Sequence, residues 1–489
     1  MKRYIIGIDE GTTSARAVLF DCELKKIINI KSRKITQYFP KSGWVEQDAD
    51  EIYKCVLESI SDVLIDSDID IFDVISIGIT NQRETVVAWN SDTLMPVYKA
   101  IVWQCRRTSD FCNNISSETK NLIRNKTGLL VDPYFSASKM KWILDNVENA
   151  KELNDKNKLK FGTIDTYIMS RLSKGKIFAT DVTNASRTML MNIHTCQWDK
   201  DLLDFFNIKR SSLAEIKENS THFGYAEINN TLIPICGVIG DQQSSLFGQG
   251  CFYEGLGKNT FGTGCFILIN TGKNLEIESN NLLSTVAWKL NGNITYALEG
   301  SVFNAGSSID WAKNQLKIFN DYSSVDLCLK NPDCNGVYFV PALTGLGAPY
   351  WSADSRGLIT GLTRSTTNED ILKSIVQSLV YSSNDILIES SKISPLKELY
   401  CDGGASKNKN MLQFLADITN LKICTETNLE STVLGSIFMA GLECGVFKNL
   451  DEIKSLISIK DTFTPNMSND LRTKLISGWN NAVKMCIRR

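Results

Sequence analysis

A Gly-Thr turn next to apolar runs occurs twice in this chain of 489 residues. The first turn, Gly11-Thr12-Thr13, separates the apolar residues 4–8 from the apolar residues 15–20, which is the pattern of a β-hairpin. The second turn, Gly262-Thr263-Gly264, lies about half a chain further on and precedes the apolar residues 265–269. Two unrelated hairpin turns would explain each copy by itself. Because each copy opens a half in which strand and helix patterns alternate, the pair favours an α/β fold of two related domains.

We place the domain boundary at the middle of the chain, with an N-terminal domain of residues 1–249 and a C-terminal domain of residues 250–489. The length suits two or more domains that each bury a core. No low-complexity segment marks the boundary.

Composition excludes several classes of protein. The formal net charge is −2 with no basic block, so we expect no nucleic-acid partner. No apolar run approaches about 18 residues and the N-terminus lacks signal-peptide features, which predicts a cytoplasmic protein without membrane insertion. The 14 cysteines form no CxxC pair and are expected to be reduced and mostly buried. With only two histidines, acid and base chemistry should depend on carboxylates.

Polar clusters follow two predicted strands. Residues 74–79 read as a buried strand that ends shortly before Arg83 and Glu84, and residues 232–239 read as another that ends before Asp241 and Gln242. Open α/β sheets build their sites at the carboxyl ends of strands. An arginine beside a glutamate can bind vicinal hydroxyls, although adjacent charges often serve only solubility.

The first of the helix signals is a capping box. Asp48 followed by Glu51 predicts the start of a helix with a regular apolar face. Later in the chain, apolar periodicity predicts a helix from Asn368. We also expect a helix from about Asn408 and a helix of small residues through Gly435, Ala440 and Gly441.

Phosphate binding is suggested by the two Gly-Thr turns, since neither a GxxxxGK[ST] loop nor a GxGxxG fingerprint is present. Backbone N–H groups in such turns, together with hydroxyl groups, can bind an anion. The groups concerned are Thr12, Thr13, Ser14 and Thr263, with Arg16 adding a charge.

Two carboxylates, Asp9 and Asp241, each end a predicted buried strand. Each could simply cap a helix or form a turn. Phosphoryl transfer to an alcohol would use both, one to position Mg²⁺ and the other to accept the hydroxyl proton. Trp103 and Tyr134 could line an apolar wall for a small polyol, and Gly404 could let the backbone approach a flat ligand such as adenine.

Eight stretches together resemble the FGGY carbohydrate kinases of the actin, hexokinase and Hsp70 ATPase superfamily, and among them those that phosphorylate glycerol. The stretches are DEGTTS (9–14), GITNQRET (78–85), IVWQCRR (101–107), DPYFS (132–136), GDQQ (240–243), NTFGTG (259–264), LTGLGAPYW (343–351) and DGGA (402–405). The similarity covers essentially the whole chain.

The resemblance implies two ribonuclease H-like (actin-like ATPase) domains with an interdomain active-site cleft. It also implies ATP- and Mg²⁺-dependent phosphorylation of glycerol to sn-glycerol 3-phosphate by a homodimer or higher homo-oligomer, for glycerol catabolism and lipid synthesis. By matching position, Asp241 would be the base, and Asp9 and Asp241 would hold Mg²⁺. Glycerol would be bound by Arg83, Glu84, Trp103, Tyr134, Asp241, Gln242 and Phe266. Nucleotide would be bound by Thr12, Thr13, Ser14, Arg16, Thr263, Gly306, Gly404 and Asn408.

Asp310 departs from the family pattern, in which glutamine is common, and we leave it outside the site. Two alternatives stay open from the sequence. One is an FGGY kinase for a sugar or another polyol, and the other is an ATP-dependent chaperone or filament protein of the same superfamily.

Overall fold

The computed structural model describes residues 3–277, 281–428 and 430–487. Two compact units form the chain. Unit 1 comprises Met1–Gly250, Ser284–Tyr296 and Glu430–Leu456, and unit 2 comprises Cys251–Leu283, Ala297–Leu429 and Ile457–Arg489.

The strands and helices of the first 250 residues alternate, as expected for an α/β protein. The strands are β1 (Tyr4–Glu10), β2 (Ser14–Asp21), β3 (Lys26–Lys34), β4 (Gln37–Tyr38), β5 (Glu46–Gln47), β6 (Val74–Asn81), β7 (Val87–Asn90), β8 (Ala100–Ile101), β9 (Leu159–Gly162), β10 (Ala179–Asp181), β11 (Met191–Asn192), β12 (Gln197–Trp198), β13 (Glu215–Lys217), β14 (Ser220–Ile228) and β15 (Thr231–Gly240). The helices are α1 (Ala49–Asp66), α2 (Ser109–Asn113), α3 (Ser117–Thr127), α4 (Ser136–Asn146), α5 (Glu148–Asp155), α6 (Ile164–Leu172), α7 (Val182–Ala185), α8 (Lys200–Phe206) and α9 (Asp241–Gly248).

The rest of the chain continues the alternation. Its strands are β16 (Leu256–Phe261), β17 (Cys265–Gly272), β18 (Leu283–Leu290), β19 (Asn293–Val302), β20 (Tyr338–Val340), β21 (Leu358–Thr360), β22 (Glu398–Gly403), β23 (Lys422–Glu426) and β24 (Ile459–Phe463). Its helices are α10 (Gly306–Trp311), α11 (Ser323–Cys328), α12 (Asn368–Ser391), α13 (Lys409–Thr419), α14 (Ser431–Glu443), α15 (Leu450–Leu456) and α16 (Asn469–Ile487). A 3-10 turn, Gly404–Lys407, follows β22 directly.

The two main sheets share one strand plan. The first has the order β14-β15-β6-β1-β2-β3, and the second has the order β18-β19-β17-β16-β22-β23-β24. In the first, β1 pairs with β2 antiparallel and with β6 parallel, and β6 pairs with β15 parallel. In the second, β16 pairs with β17 antiparallel and with β22 parallel, and β22 pairs with β23 parallel. This repeated plan confirms the duplication that the two Gly-Thr turns indicated.

The compact units differ from the two contiguous halves that we placed at 1–249 and 250–489. Helix α14 comes late in the chain but packs against β1, β6, β15 and α9 of unit 1. Glycine makes this packing possible, because a Cβ on Gly78 would lie 2.4 Å from the carbonyl oxygen of Ser436. Gly78 lies on β6; within α14, Gly435 allows a similar approach to α9, because a Cβ there would lie 2.1 Å from the carbonyl oxygen of Ser244.

The hydrophobic cores account for most of the predicted elements. In unit 1, α1 packs on β2 and β3 through its buried residues Ile52, Val56 and Ile60. In unit 2, the long helix α12 is buried along most of its length, among α13, β17 and β20. Strand β8 is short and comprises only Ala100–Ile101.

The capping box predicted for α1 is only half correct. Asp48 does cap the helix, by accepting hydrogen bonds from the N–H groups of Asp50 and Glu51. The Glu51 carboxylate instead accepts from the backbone N–H and the hydroxyl group of Thr36, at 3.1 and 2.7 Å. A tertiary contact therefore replaces the reciprocal bond within the helix.

All the cysteines are free thiols, and all except Cys22 and Cys444 are buried, as expected. Within the described part of the chain, no helix is long and apolar enough to cross a membrane.

Candidate active site

Three parallel strands of unit 1 end at the same level. The β-sheet register pairs Glu10 of β1 with Asn81 of β6, and Asn81 with Gly240 of β15. Residues 9–10, 82–84 and 241 consequently meet at one edge of the sheet, where the sequence predicted a site.

A buried arginine organises this edge. Arg83 is 2% exposed, and its Nε atom lies 3.1 Å from Oδ1 of Asp241. Its Nη1 atom donates to Oε1 of Gln243 at 3.1 Å, and its Nη2 atom donates to the Tyr134 hydroxyl at 3.5 Å. Asp241 begins α9, and its side chain is 27% exposed. The carboxylate is therefore both oriented by a cation and accessible to a ligand.

Glu84 lies beside Arg83 in a strained backbone conformation. Its φ is 61°, a region that costs a non-glycine residue about 1–3 kcal/mol. Its carboxylate accepts a hydrogen bond from Nε of Arg187 at 2.7 Å. Its backbone carbonyl accepts from the Ser136 hydroxyl at 3.1 Å and from Nζ of Lys139 at 3.3 Å. These contacts hold Glu84 in a backbone conformation that is unfavourable by itself.

Lys139 is fully buried beneath this segment. Its ammonium group also donates to the carbonyl oxygens of Tyr134 and Phe135. Burial lowers the pKa of Lys139 to about 8, and the charge of Glu84 opposes this shift. Lys139 therefore ties the Tyr134 segment to Glu84.

An aromatic pair connects the residues predicted to bind glycerol with those predicted to bind phosphate. The rings of Trp103 and Tyr134 make an edge-to-face contact with centroids 5.7 Å apart. The indole N–H of Trp103 donates to the Thr12 hydroxyl oxygen at 3.0 Å. Since Thr12 accepts this bond, its own O–H remains a donor for another group.

Asp9 belongs to a chain of charges at the end of β1. It forms an ion pair with Arg16, whose other guanidinium nitrogen lies 2.7 Å from Glu430. Burial raises the pKa of Asp9, while the Arg16 charge opposes the rise. The predicted phosphate ligand Arg16 thus has two carboxylate partners in this structure.

Glu10 is a buried carboxyl group that the sequence did not single out. Its Oε1 atom accepts from Nε2 of Gln82 at 2.9 Å, and among the described residues none donates to Oε2. Burial raises the pKa of Glu10 well above its usual range, and the charges of Asp9 and Asp241 add to the rise.

The second Gly-Thr turn lies in unit 2, against the start of α10. The N–H of Gly306 donates to the carbonyl oxygen of Gly262 at 3.0 Å, and the N–H groups of Ala305 and Ser307 donate to that of Thr263. A Cβ on Gly306 would lie 2.6 Å from the Gly262 oxygen. Gly306 therefore allows this close approach, and the Thr263 side chain is left exposed.

The remaining predicted residues of unit 2 have different surroundings. Gly404 is exposed, and no heavy atom of the described residues lies within 4 Å of a Cβ built on it. Asn408 caps α13 by accepting from the N–H of Met411, and its amide donates to the carbonyl oxygen of Val325, so its side chain is occupied. Phe266 lies half-buried on β17.

Asp310 is exposed and accepts a hydrogen bond from the Tyr322 hydroxyl at 2.6 Å. The structure therefore gives it a partner of its own within unit 2.

In unit 1 the structure brings together Arg83, Glu84, Trp103, Tyr134, Asp241 and Thr12, with Gln242 next to Asp241 along α9. Sequence reasoning missed Arg187, Lys139, Gln243 and Glu10. Gln243 and Glu10 adjoin predicted residues, which is a usable signal. Arg187 lies 103 residues from Glu84 in the chain, and no sequence signal connected the two.

Comparison with known proteins identifies the class. The model for the FGGY family of carbohydrate kinases, N-terminal domain, matches residues 4–248, and the model for the C-terminal domain matches residues 257–444. The chain belongs to the FGGY family of carbohydrate kinases.

Full-length relatives narrow the resemblance. The chain is 46% identical to the glycerol kinase of Shewanella frigidimarina over 99% of this chain and 98% of the relative, and 46% identical to that of Bacillus subtilis over 99% of each. Among solved structures, the Plasmodium falciparum glycerol kinase with ADP matches with a TM-score of 0.92 and 38% identity, covering 99% of this chain and 98% of that chain. The predicted family, fold class and glycerol-kinase resemblance are confirmed.

Proposed function

We propose that this chain is a glycerol kinase, which transfers the γ-phosphoryl group of ATP to a terminal hydroxyl of glycerol and forms sn-glycerol 3-phosphate. The observation that carries the proposal is the ion pair between Arg83, after β6, and Asp241, after β15, together with the hydrogen bond from Arg83 to Tyr134. Glycerol kinases that share 46% identity over the full length support it.

Asp241 accepts the proton of the attacking hydroxyl. It is partly exposed at the start of a helix and beside a guanidinium group, so its carboxylate is held in one place. A positioned general base contributes about 10²–10⁴ in rate.

Glycerol forms hydrogen bonds with Arg83, Tyr134 and Gln242 and donates one to the Glu84 carboxylate, while Trp103 and Phe266 contact its carbon atoms. A small triol offers little apolar area, so affinity depends on hydrogen bonds that are costly to leave unmade. The buried donors and acceptors around Arg83 suit this requirement.

ATP is bound by a set of groups in each unit. Unit 1 supplies Thr12, Thr13, Ser14 and Arg16 to phosphate oxygens. Unit 2 supplies Thr263 and the backbone at Gly306 and Gly404, with Asn408 fixing the start of α13.

Mg²⁺ fits the oxygen ligands of unit 1. Asp9, near the end of β1, and Asp241, directly after β15, supply two carboxylates. Proteins usually hold Mg²⁺ by one or two carboxylates together with phosphates and water. When bound, the ion offsets charge on the phosphate oxygens.

The same resemblance extends the proposal to a cytoplasmic enzyme that forms a homodimer or a higher homo-oligomer. Light scattering of the purified chain would measure its oligomeric state.

The test is ATP turnover by the purified chain with and without glycerol, followed by a stereospecific assay for sn-glycerol 3-phosphate. Other polyols and a ketopentose complete the panel, because a sugar kinase would prefer one of them. If the purified chain shows no turnover that depends on glycerol, the proposal is refuted.

Asp241→Asn tests the base. We expect turnover to fall about 10²–10⁴-fold while ADP binding by calorimetry persists. Asp310→Asn is the control, since that carboxylate is exposed and paired with Tyr322, and it should keep normal turnover. Near-normal turnover of a folded Asp241→Asn variant would remove Asp241 from this role.

A further inference from the structure

Arg187 is a buried cation to which the proposed reaction assigns no role. It is 0% exposed and follows the short helix α7. Its Nε atom donates to Oε1 of Glu84 at 2.7 Å, and its guanidinium carbon lies 5.1 and 5.7 Å from the ring centroids of Phe135 and Tyr134. It therefore contacts the same Glu84 carboxylate oxygen that Nε of Arg83 approaches at 3.9 Å.

Stability alone is a weak reason for such a pair. Burying two charges costs desolvation energy, and apolar side chains of similar size are often no less stable. The strained backbone of Glu84 adds to that cost. The Arg187–Glu84 pair costs free energy to bury and lies beside the proposed glycerol-binding residues. Its geometry is therefore better explained by a role in that site than by a gain in stability.

The two arginines have competing partners. Nε of Arg83 lies 3.1 Å from Asp241 but also 3.9 Å from the Glu84 oxygen that Arg187 contacts. In a dry environment an uncompensated Glu84 would attract Arg83 strongly. By compensating Glu84, Arg187 leaves Arg83 with Asp241, so that charges alternate from Arg187 through Glu84 and Arg83 to Asp241.

We propose that Arg187 is a positioning residue that fixes the Glu84 carboxylate as acceptor for one substrate hydroxyl, and so sets the preference for a triol over diols. This rests on the proposed function. A site with a buried group placed for a particular hydroxyl rejects analogues that lack it, because the buried group is then left unpaired.

The experiment compares kcat/KM for glycerol, propane-1,2-diol and propane-1,3-diol. Glu84→Gln first identifies the diol that lacks the hydroxyl bound by Glu84. For that diol, the ratio of kcat/KM for glycerol to kcat/KM for the diol should fall by about tenfold or more in the variant. We expect Arg187→Met to lower discrimination against the same diol. Arg187→Lys, which restores a donor without the planar fork, should recover part of it.

The double variant Glu84→Gln/Arg187→Met separates positioning from a structural role. If Arg187 acts through Glu84, the double variant discriminates no less than Glu84→Gln alone. If the two losses multiply, or if Arg187→Met keeps the wild-type ratio between glycerol and the diol, the inference is wrong. Should Arg187→Met not fold, the same cycle is measured with Arg187→Lys.

Arg107→Met is the matched control. Arg107 also has a fully buried side chain, its Nη2 atom lies 2.6 Å from Glu46, and its guanidinium lies 3.9 Å from the Trp44 ring centroid. Its loss should lower stability and leave the diol ratio unchanged; an equal change in the ratio would overturn the inference. Absence of glycerol phosphorylation by the wild-type chain would instead refute the proposed function.

Discussion

The two Gly-Thr hairpins have the same backbone plan but different chemistry. In each, the N–H of the first glycine closes the turn at 2.9 Å, from Gly11 to the carbonyl of Ser14 and from Gly262 to that of Gly264. The strand before the first turn ends in Asp9 and Glu10, whereas the strand before the second ends in Thr260 and Phe261.

The same difference holds for the next strand of each sheet. After β6 come Arg83 and Glu84, both buried, whereas β22 ends at Gly403 and is followed by Gly404, both exposed. One copy of the plan thus has charged residues at both strand ends, whereas the other has Thr260 and Phe261 at the end of β16 and, beyond the buried Asp402, two exposed glycines at the end of β22. The lesson is that the fold supplies equivalent positions, while residue type decides the chemistry at each.

The charged strand ends should matter most for glycerol. Arg83→Ala removes the guanidinium group that pairs with Asp241 and donates to the Tyr134 hydroxyl, so we expect the KM for glycerol to rise about 10–100-fold, with a much smaller change for ATP. Steady-state kinetics with each substrate varied would measure this. Arg33→Ala, which removes an exposed partner of Asp62, serves as the control. If the KM for ATP rises as much as the KM for glycerol, the charged strand ends of unit 1 are not specific for glycerol.

The glycine strand ends should matter for nucleotide. Gly404→Ala meets open space, so we expect unchanged thermal stability and about tenfold weaker ADP binding, if backbone must approach the ligand. Gly403→Ala is the matched variant, because φ there is +87° and a Cβ would lie 2.4 Å from the carbonyl of Phe261. It should lower the melting temperature by several degrees. Wild-type ADP affinity in Gly404→Ala would remove this residue from the nucleotide site.

The two turn threonines sharpen the comparison further. Thr12→Val breaks the bond from the Trp103 indole, so we expect the KM for both glycerol and ATP to rise about fivefold. Thr263→Val should change only the KM for ATP, since Thr263 is exposed in unit 2. Identical profiles for the two variants would contradict this division.

A buried carboxylate of unit 2 should affect stability but not catalysis. Asp385 accepts hydrogen bonds from Trp479 and Tyr350, and burial raises its pKa to about 7. Because the folded pKa exceeds the unfolded one, its contribution to stability is fully present below about pH 4 and is lost as the pH rises through 7. Asp385→Asn should therefore lose less stability than wild type between pH 5 and 8, by at most about 3 kcal/mol in urea unfolding. A parallel loss in both proteins would assign the pH dependence to other groups.

Much of the fold followed from short stretches of sequence. The hairpin at Gly11, the strands β6 and β15 and the helix α12 could be predicted, because turn residues and apolar periodicity act between near neighbours in the chain. The reciprocal bond of Glu51 was predicted wrongly, since Thr36 competes for the same carboxylate.

The duplication, the family and the polar residues that follow the parallel strands could all be identified from the sequence. Two features could be identified only from the folded structure: α14 belongs with unit 1, and Arg187, 103 residues away in the chain, is the partner of Glu84. The difference arises because strand ends and turns depend on interactions between adjacent residues, whereas burial and ion pairing depend on which distant segments of the chain pack together.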